Sequence, residues 1–93
     1  MDVKLIKEAP IYSMKNKKFI DESEVCGCYY CLEVFSKNDI TDWTDNGQTA
    51  ICPKCHIDSV LSQSYGIELN KEQLQIVHDY WFKNAENNKP QNA

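Results

Sequence analysis

Two short cysteine pairs, Cys28-Tyr29-Tyr30-Cys31 and Cys52-Pro53-Lys54-Cys55, constrain this chain more than any other feature. Twenty residues separate Cys31 from Cys52. A two-residue gap lets the backbone fold into a knuckle that aims both sulfurs at one ion. One knuckle supplies half of a tetrahedral shell, and two complete it. The spacing therefore predicts a Zn2+ site made by Cys28, Cys31, Cys52 and Cys55. Iron held by the same four thiolates is the alternative.

Cys26 makes the cysteine count odd, which excludes a fully paired disulfide framework within one chain. Its one-residue spacing from Cys28 makes a poorer chelate. Cys26 is read as a spare thiol beside the site, and replacement of Cys28 by Cys26 is the sharper alternative. His56 directly follows Cys55 and is a second competitor; the expectation is that it faces solvent in the first turn of a helix.

Composition narrows the class. The chain has 93 residues, 42% of them apolar and 26% charged, as expected of one folded domain with a modest core. A chain of this size commonly gains stability from a metal or a partner. Lys and Arg total 10 against 14 Asp and Glu, a formal charge of −4. Four thiolates would remove four units and a divalent ion restore two, taking −4 to −6. This argues against a general polyanion binder. No apolar run approaches the roughly 20 residues of a membrane span. The N-terminal MDVKLIKEAP lacks the apolar stretch of a secretory signal. A cytoplasmic, reducing setting is expected, in which disulfides do not persist.

Residues 1–25 read as an N-terminal extension. Val3, Leu5 and Ile6 suggest a short strand that Pro10 interrupts, and Lys15, Lys17 and Lys18 belong to a solvated loop. Leu32, Val34 and Phe35 are expected in the core around the metal, and Ser36 to Asp39 has the form of a capping box. Asn46-Gly47 between two β-capable runs predicts a two-residue type I′ hairpin over 40–52. That register pairs Asp45 with Gln48, Thr44 with Thr49 and Trp43 with Ala50. It puts Trp43 and Cys52 on one face, where Trp43 shields the site. Ile57, Val60 and Leu61 are spaced as one helical stripe, predicting a helix over 56–63 that stops at Gly66. Asn70 is positioned to cap a second helix with Leu74, Val77, Tyr80 and Trp81 inward. Residues 1–84 are expected to form the single zinc-binding domain, and the polar 85–93 a disordered tail.

Knuckle, hairpin and a second pair at a helix start is an order that resembles a treble-clef zinc finger. Cys28, Cys31, the 40–52 hairpin, Cys52, Cys55 and the 56–63 helix carry the likeness. Within it, CGCYYCLEVF followed by TAICPKCHIDSV is similar to a family of small bacterial cytoplasmic zinc-binding proteins. The resemblance implies a small α+β zinc-stabilised domain with a treble-clef-like core and an additional C-terminal helix. It implies no substrate.

Four thiolates saturate a tetrahedral zinc and leave no place for water or substrate, so the expected role is structural rather than enzymatic. The reading is a macromolecular interaction module with a protein partner. The alternative is a nucleic-acid-binding finger, disfavoured by the acidic charge and the absence of arginine. A thiol–disulfide function for Cys52 and Cys55 lacks the expected βαβ lead-in. A treble-clef nuclease would need a histidine in the hairpin, and the only histidines are His56 and His78. Ser59 and Asp58 form no triad and are assigned to a helix surface.

Overall fold

The structure, a computed structural model, describes residues 3–66 and 68–83. The expected tail over 85–93 lies outside the described residues. Among the described residues, three α-helices, α1 (Val3–Tyr12), α2 (Lys17–Asp21) and α3 (Lys71–His78), accompany two small sheets. The larger sheet joins β1 (Val25–Cys28), β2 (Val34–Ser36) and β5 (Val60–Ser62) in the order β2-β1-β5, all antiparallel. The smaller pairs β3 (Trp43–Thr44) with β4 (Thr49–Ala50).

The two faces of the larger sheet serve two separate cores, because side chains alternate along a strand. Cys26 and Cys28 of β1, Phe35 of β2 and Val60 of β5 enter one core with Ile20, Ile40, Ala50 and Cys52. The register agrees, pairing Cys26 with Phe35 and Cys28 with Val60. Leu61 enters the opposite core with Ile6, Ala9, Tyr65, Leu74 and Val77, where α1 and α3 pack. Gly27 faces the same side, paired with Leu61. A Cβ on Gly27 would lie 3.0 Å from Leu74 Cδ1, so the bare strand is what lets α3 approach. Each fully buried aliphatic side chain in these cores contributes about 1.5–3 kcal/mol.

Several expectations change. Val3 to Tyr12 is a helix rather than a strand, with Pro10 inside it. The predicted 56–63 helix is absent: a loop leads into β5, and a single 3-10 turn (Gln63–Tyr65) precedes Gly66. The small α+β architecture holds, but the helix that a treble clef places after its second pair does not follow Cys55. Val34 is exposed rather than core, because it shares the side of Gly27 at the sheet's edge.

The hairpin keeps its predicted register, Trp43 with Ala50 and Thr44 with Thr49. Its turn is longer than predicted: Asp45, Asn46 and Gly47 all take positive φ. Asp45 and Gln48 belong to the turn, where the Gln48 N–H donates to the carbonyls of Thr44 and Asp45. Ser36 and Asp39 form the expected capping box, and Asn70 Oδ1 accepts from the Gln73 N–H at 2.8 Å. Past α3 the chain widens into a π-helical turn, Asp79–Lys83, which carries Tyr80, Trp81 and Phe82.

Asn16 ties the helical N-terminal region to both sheets. Its fully buried side chain donates to the Val60 carbonyl at 2.8 Å and accepts from the Ala50 N–H at 3.2 Å. Through Asn16, the described part of the N-terminal region, residues 3–25, is built into the fold that positions the cysteines.

Candidate metal centre

The two CxxC segments fold by the same local rule. In the first, the Leu32 N–H donates to the Cys28 carbonyl at 2.8 Å, and the Cys28 N–H to the Glu33 carbonyl at 3.0 Å. In the second, the His56 N–H donates to the Cys52 carbonyl at 2.9 Å, and the Cys52 N–H to the Ile57 carbonyl at 2.9 Å. Leu32 and His56 close their turns in the left-handed region, at φ 69° and 67°. The recurring Cys-x-x-Cys spacing announces the two knuckles, but nothing in the sequence marks how each turn closes. The usual marker of such a position is glycine, and neither residue is one.

Each knuckle aims backbone donors at its first sulfur. Cys28 Sγ accepts from the N–H groups of Tyr30 and Cys31 at 3.3 and 3.5 Å. Cys52 Sγ accepts from those of Lys54 and Cys55 at 3.3 and 3.4 Å. These donors favour thiolate.

The knuckles face each other. Cys28 Sγ lies 3.6 Å from Cys55 Sγ, and Cys31 Sγ lies 3.7 Å from Cys52 Sγ. All four sulfurs lie within 4.8 Å of one another. A sulfur–sulfur bond is about 2.0 Å, so these are separate thiols. A tetrahedral ion with bonds of about 2.3 Å spaces its sulfurs by about 3.8 Å, so the donor set fits such an ion. The four-cysteine cluster is able to hold a metal ion.

Electrostatics point the same way. Burial pushes the Cys28 thiol far up and the Cys55 thiol up to about 11. Burial also opposes ionisation of Cys52, yet the N–H groups of Cys55 and Lys54, with the Cys31 and Cys55 thiols, bring it below its ordinary value. Four thiolates this close repel one another, and only a shared cation lets the whole set ionise.

Cys26 stands outside the cluster. It lies on the same face of β1 as Cys28, but two strand residues span about 6.7 Å. It is fully buried in the core that includes Phe35 and Val60, as a spare thiol beside the site. His56 is exposed and in a left-handed turn, so its predicted place in a helix is corrected. Asp58 is exposed in the loop before β5, and Ser59 is buried there rather than on a helix surface. Trp43 packs against the metal-side core as predicted, with Lys17 Nζ 5.4 Å from its ring centroid.

Compared with known protein families, curated proteins and solved structures, the chain matches none. Among the described residues, no helix is long and apolar enough to cross a membrane.

Proposed function

We propose that Cys28, Cys31, Cys52 and Cys55 hold a structural Zn2+ and that the folded chain is a cytoplasmic, non-catalytic module for binding another protein. The opposition of two like knuckles, with sulfurs 3.6 and 3.7 Å apart across the gap, carries this reading. With four sulfurs bound, a tetrahedral ion has no open position, so the metal acts through folding. Zinc in small cysteine-rich domains contributes about 10–16 kcal/mol of apparent binding energy, enough to decide whether such a chain folds. Zinc is preferred to iron because the spacing is that of structural zinc sites and the role needs no redox change.

A protein partner is favoured over nucleic acid by the net charge of −4, which becomes more negative with the thiolates bound, and by the lack of arginine. Exposed Met14, Tyr30 and Ile57 add apolar contact surface. Mass spectrometry under native conditions should find one zinc per chain, and chelation should abolish the native circular dichroism. A metal-free chain that keeps its native spectrum would falsify the structural role.

A further inference from the structure

The two residues inside the first CxxC, Tyr29 and Tyr30, wall a cleft. The cleft has a volume of about 450 Å3 and lies between the first knuckle, the end of α1, the hairpin turn and the loop before β5. Phe82, from the π-helical turn, stacks on Tyr29 with centroids 5.8 Å apart and planes at 25°. It meets Tyr30 edge-on, at 5.2 Å and 89°. Tyr29 is held by its N–H bond to the Ser59 carbonyl at 3.1 Å and by phenol contacts with Ser13 and Ser59. Tyr30 is 47% exposed, so its ring remains available.

Two carboxylates complete the lining, Asp45 from the hairpin turn and Asp58 from the loop. Among the described residues no lysine lines the cleft, and the sequence has no arginine. Aromatic faces beside carboxylates are complementary to a planar cation that can stack and pair at once. Met14 and Ile57, 53% and 38% exposed, also line it and suit the apolar neighbours of such a cation in a polypeptide.

The geometry points to this cleft as the binding site for an arginine side chain in a basic segment of a partner protein, its guanidinium over Tyr30 and paired with Asp45 and Asp58. The inference rests on the protein-binding reading above and names the partner's chemistry. Because the cleft includes the inner residues of the first knuckle, metal binding and cleft assembly share one turn.

The test is a titration of the isotope-labelled, zinc-loaded chain with Gly/Arg, Gly/Lys and Gly/Glu peptides of equal length, followed by nuclear magnetic resonance. The Gly/Arg peptide should shift the signals of Tyr29, Tyr30 and Phe82, bind more tightly than Gly/Lys, and exceed Gly/Glu throughout. Asp45→Asn with Asp58→Asn should weaken Gly/Arg binding about tenfold, as the loss of two exposed charge contacts would. The zinc content should stay unchanged. Should that double variant unfold, the salt dependence of Gly/Arg binding to the unaltered chain decides in its place, and a flat dependence overturns the pairing. The inference is overturned if no peptide binds at millimolar concentration, if the shifts gather at Trp43 instead, or if the double variant binds Gly/Arg unchanged. Equal binding by Gly/Lys overturns the assignment of guanidinium. A zinc-folded chain that ignores cationic peptides loses only this inference, whereas a chain folded without zinc loses the structural-metal reading while the titration still reads the cleft.

Discussion

The indole N–H of Trp81 donates to the Ile6 carbonyl at 2.7 Å, the very carbonyl that Pro10 leaves without its helical donor. An α-helix pairs each carbonyl with the N–H four residues on, and proline has none. The π-helical turn thus repairs α1 from the far end of the chain. Trp81→Phe should cost about 1–3 kcal/mol, mostly from the unsatisfied carbonyl. Pro10→Ala restores the missing N–H, so in that background the Trp81→Phe cost should shrink. Urea unfolding of the four proteins in this cycle measures the coupling, and strictly additive costs would remove the repair.

The fifth cysteine separates ligand from bystander. Cys31→Ser should lose stoichiometric zinc and the native fold, because a missing sulfur opens the tetrahedron and an alcohol replaces it poorly. Cys26→Ala should retain one zinc and lose about 1–2 kcal/mol, the effect of a small cavity in the core against Phe35 and Val60. Metal analysis with thermal unfolding checks both. Loss of zinc from Cys26→Ala would move the ligand set.

His56 occupies a left-handed position at φ 67° with its side chain exposed. A side chain with a Cβ costs about 1–2 kcal/mol there, and glycine does not. His56→Gly should therefore stabilise the fold by roughly 0.5–1 kcal/mol and raise the unfolding midpoint, after the added freedom of the unfolded chain is subtracted. Zinc content should be unchanged. A drop in either would give His56 a role beyond the turn.

The cysteine cluster was legible because its signal is local: each pair needs only its own four-residue turn to aim two sulfurs. The hairpin register and the Asn70 cap were legible for the same reason. Strand β5 was not. Ile57, Val60 and Leu61 have helical spacing, yet adjacent Val60 and Leu61 enter opposite cores, which only an extended chain allows. That choice is made by pairing with β1, Cys28 to Val60, across a distance in sequence that periodicity does not register. In α1, Pro10 argues for a break, and the side chain that compensates the Ile6 carbonyl lies 75 positions from Ile6, on Trp81. The left-handed turn closures at Leu32 and His56 were not legible, because neither residue is the glycine that usually marks such a position.

Tyr65 makes stability depend on alkaline pH. Its hydroxyl donates to the Leu5 carbonyl, and burial pushes the phenol well above its ordinary value of 10.0. Below pH 10.0 both folded and unfolded chains keep this proton, so the contribution of Tyr65 is fully present. Above it the unfolded chain loses the proton while the folded chain retains it. The folded state then binds more protons, and stability falls as pH rises, by up to about 1.4 kcal/mol per pH unit for one group. Tyr65→Phe removes that proton and leaves the Leu5 carbonyl without its hydroxyl donor, so at neutral pH it should cost about 1–2 kcal/mol. The gap between the two proteins should close as the pH passes through 10 and beyond, because only the unaltered chain carries this slope. Urea unfolding of both proteins from neutral to strongly alkaline pH reads the gap directly, and parallel curves would assign the alkaline loss to groups other than Tyr65.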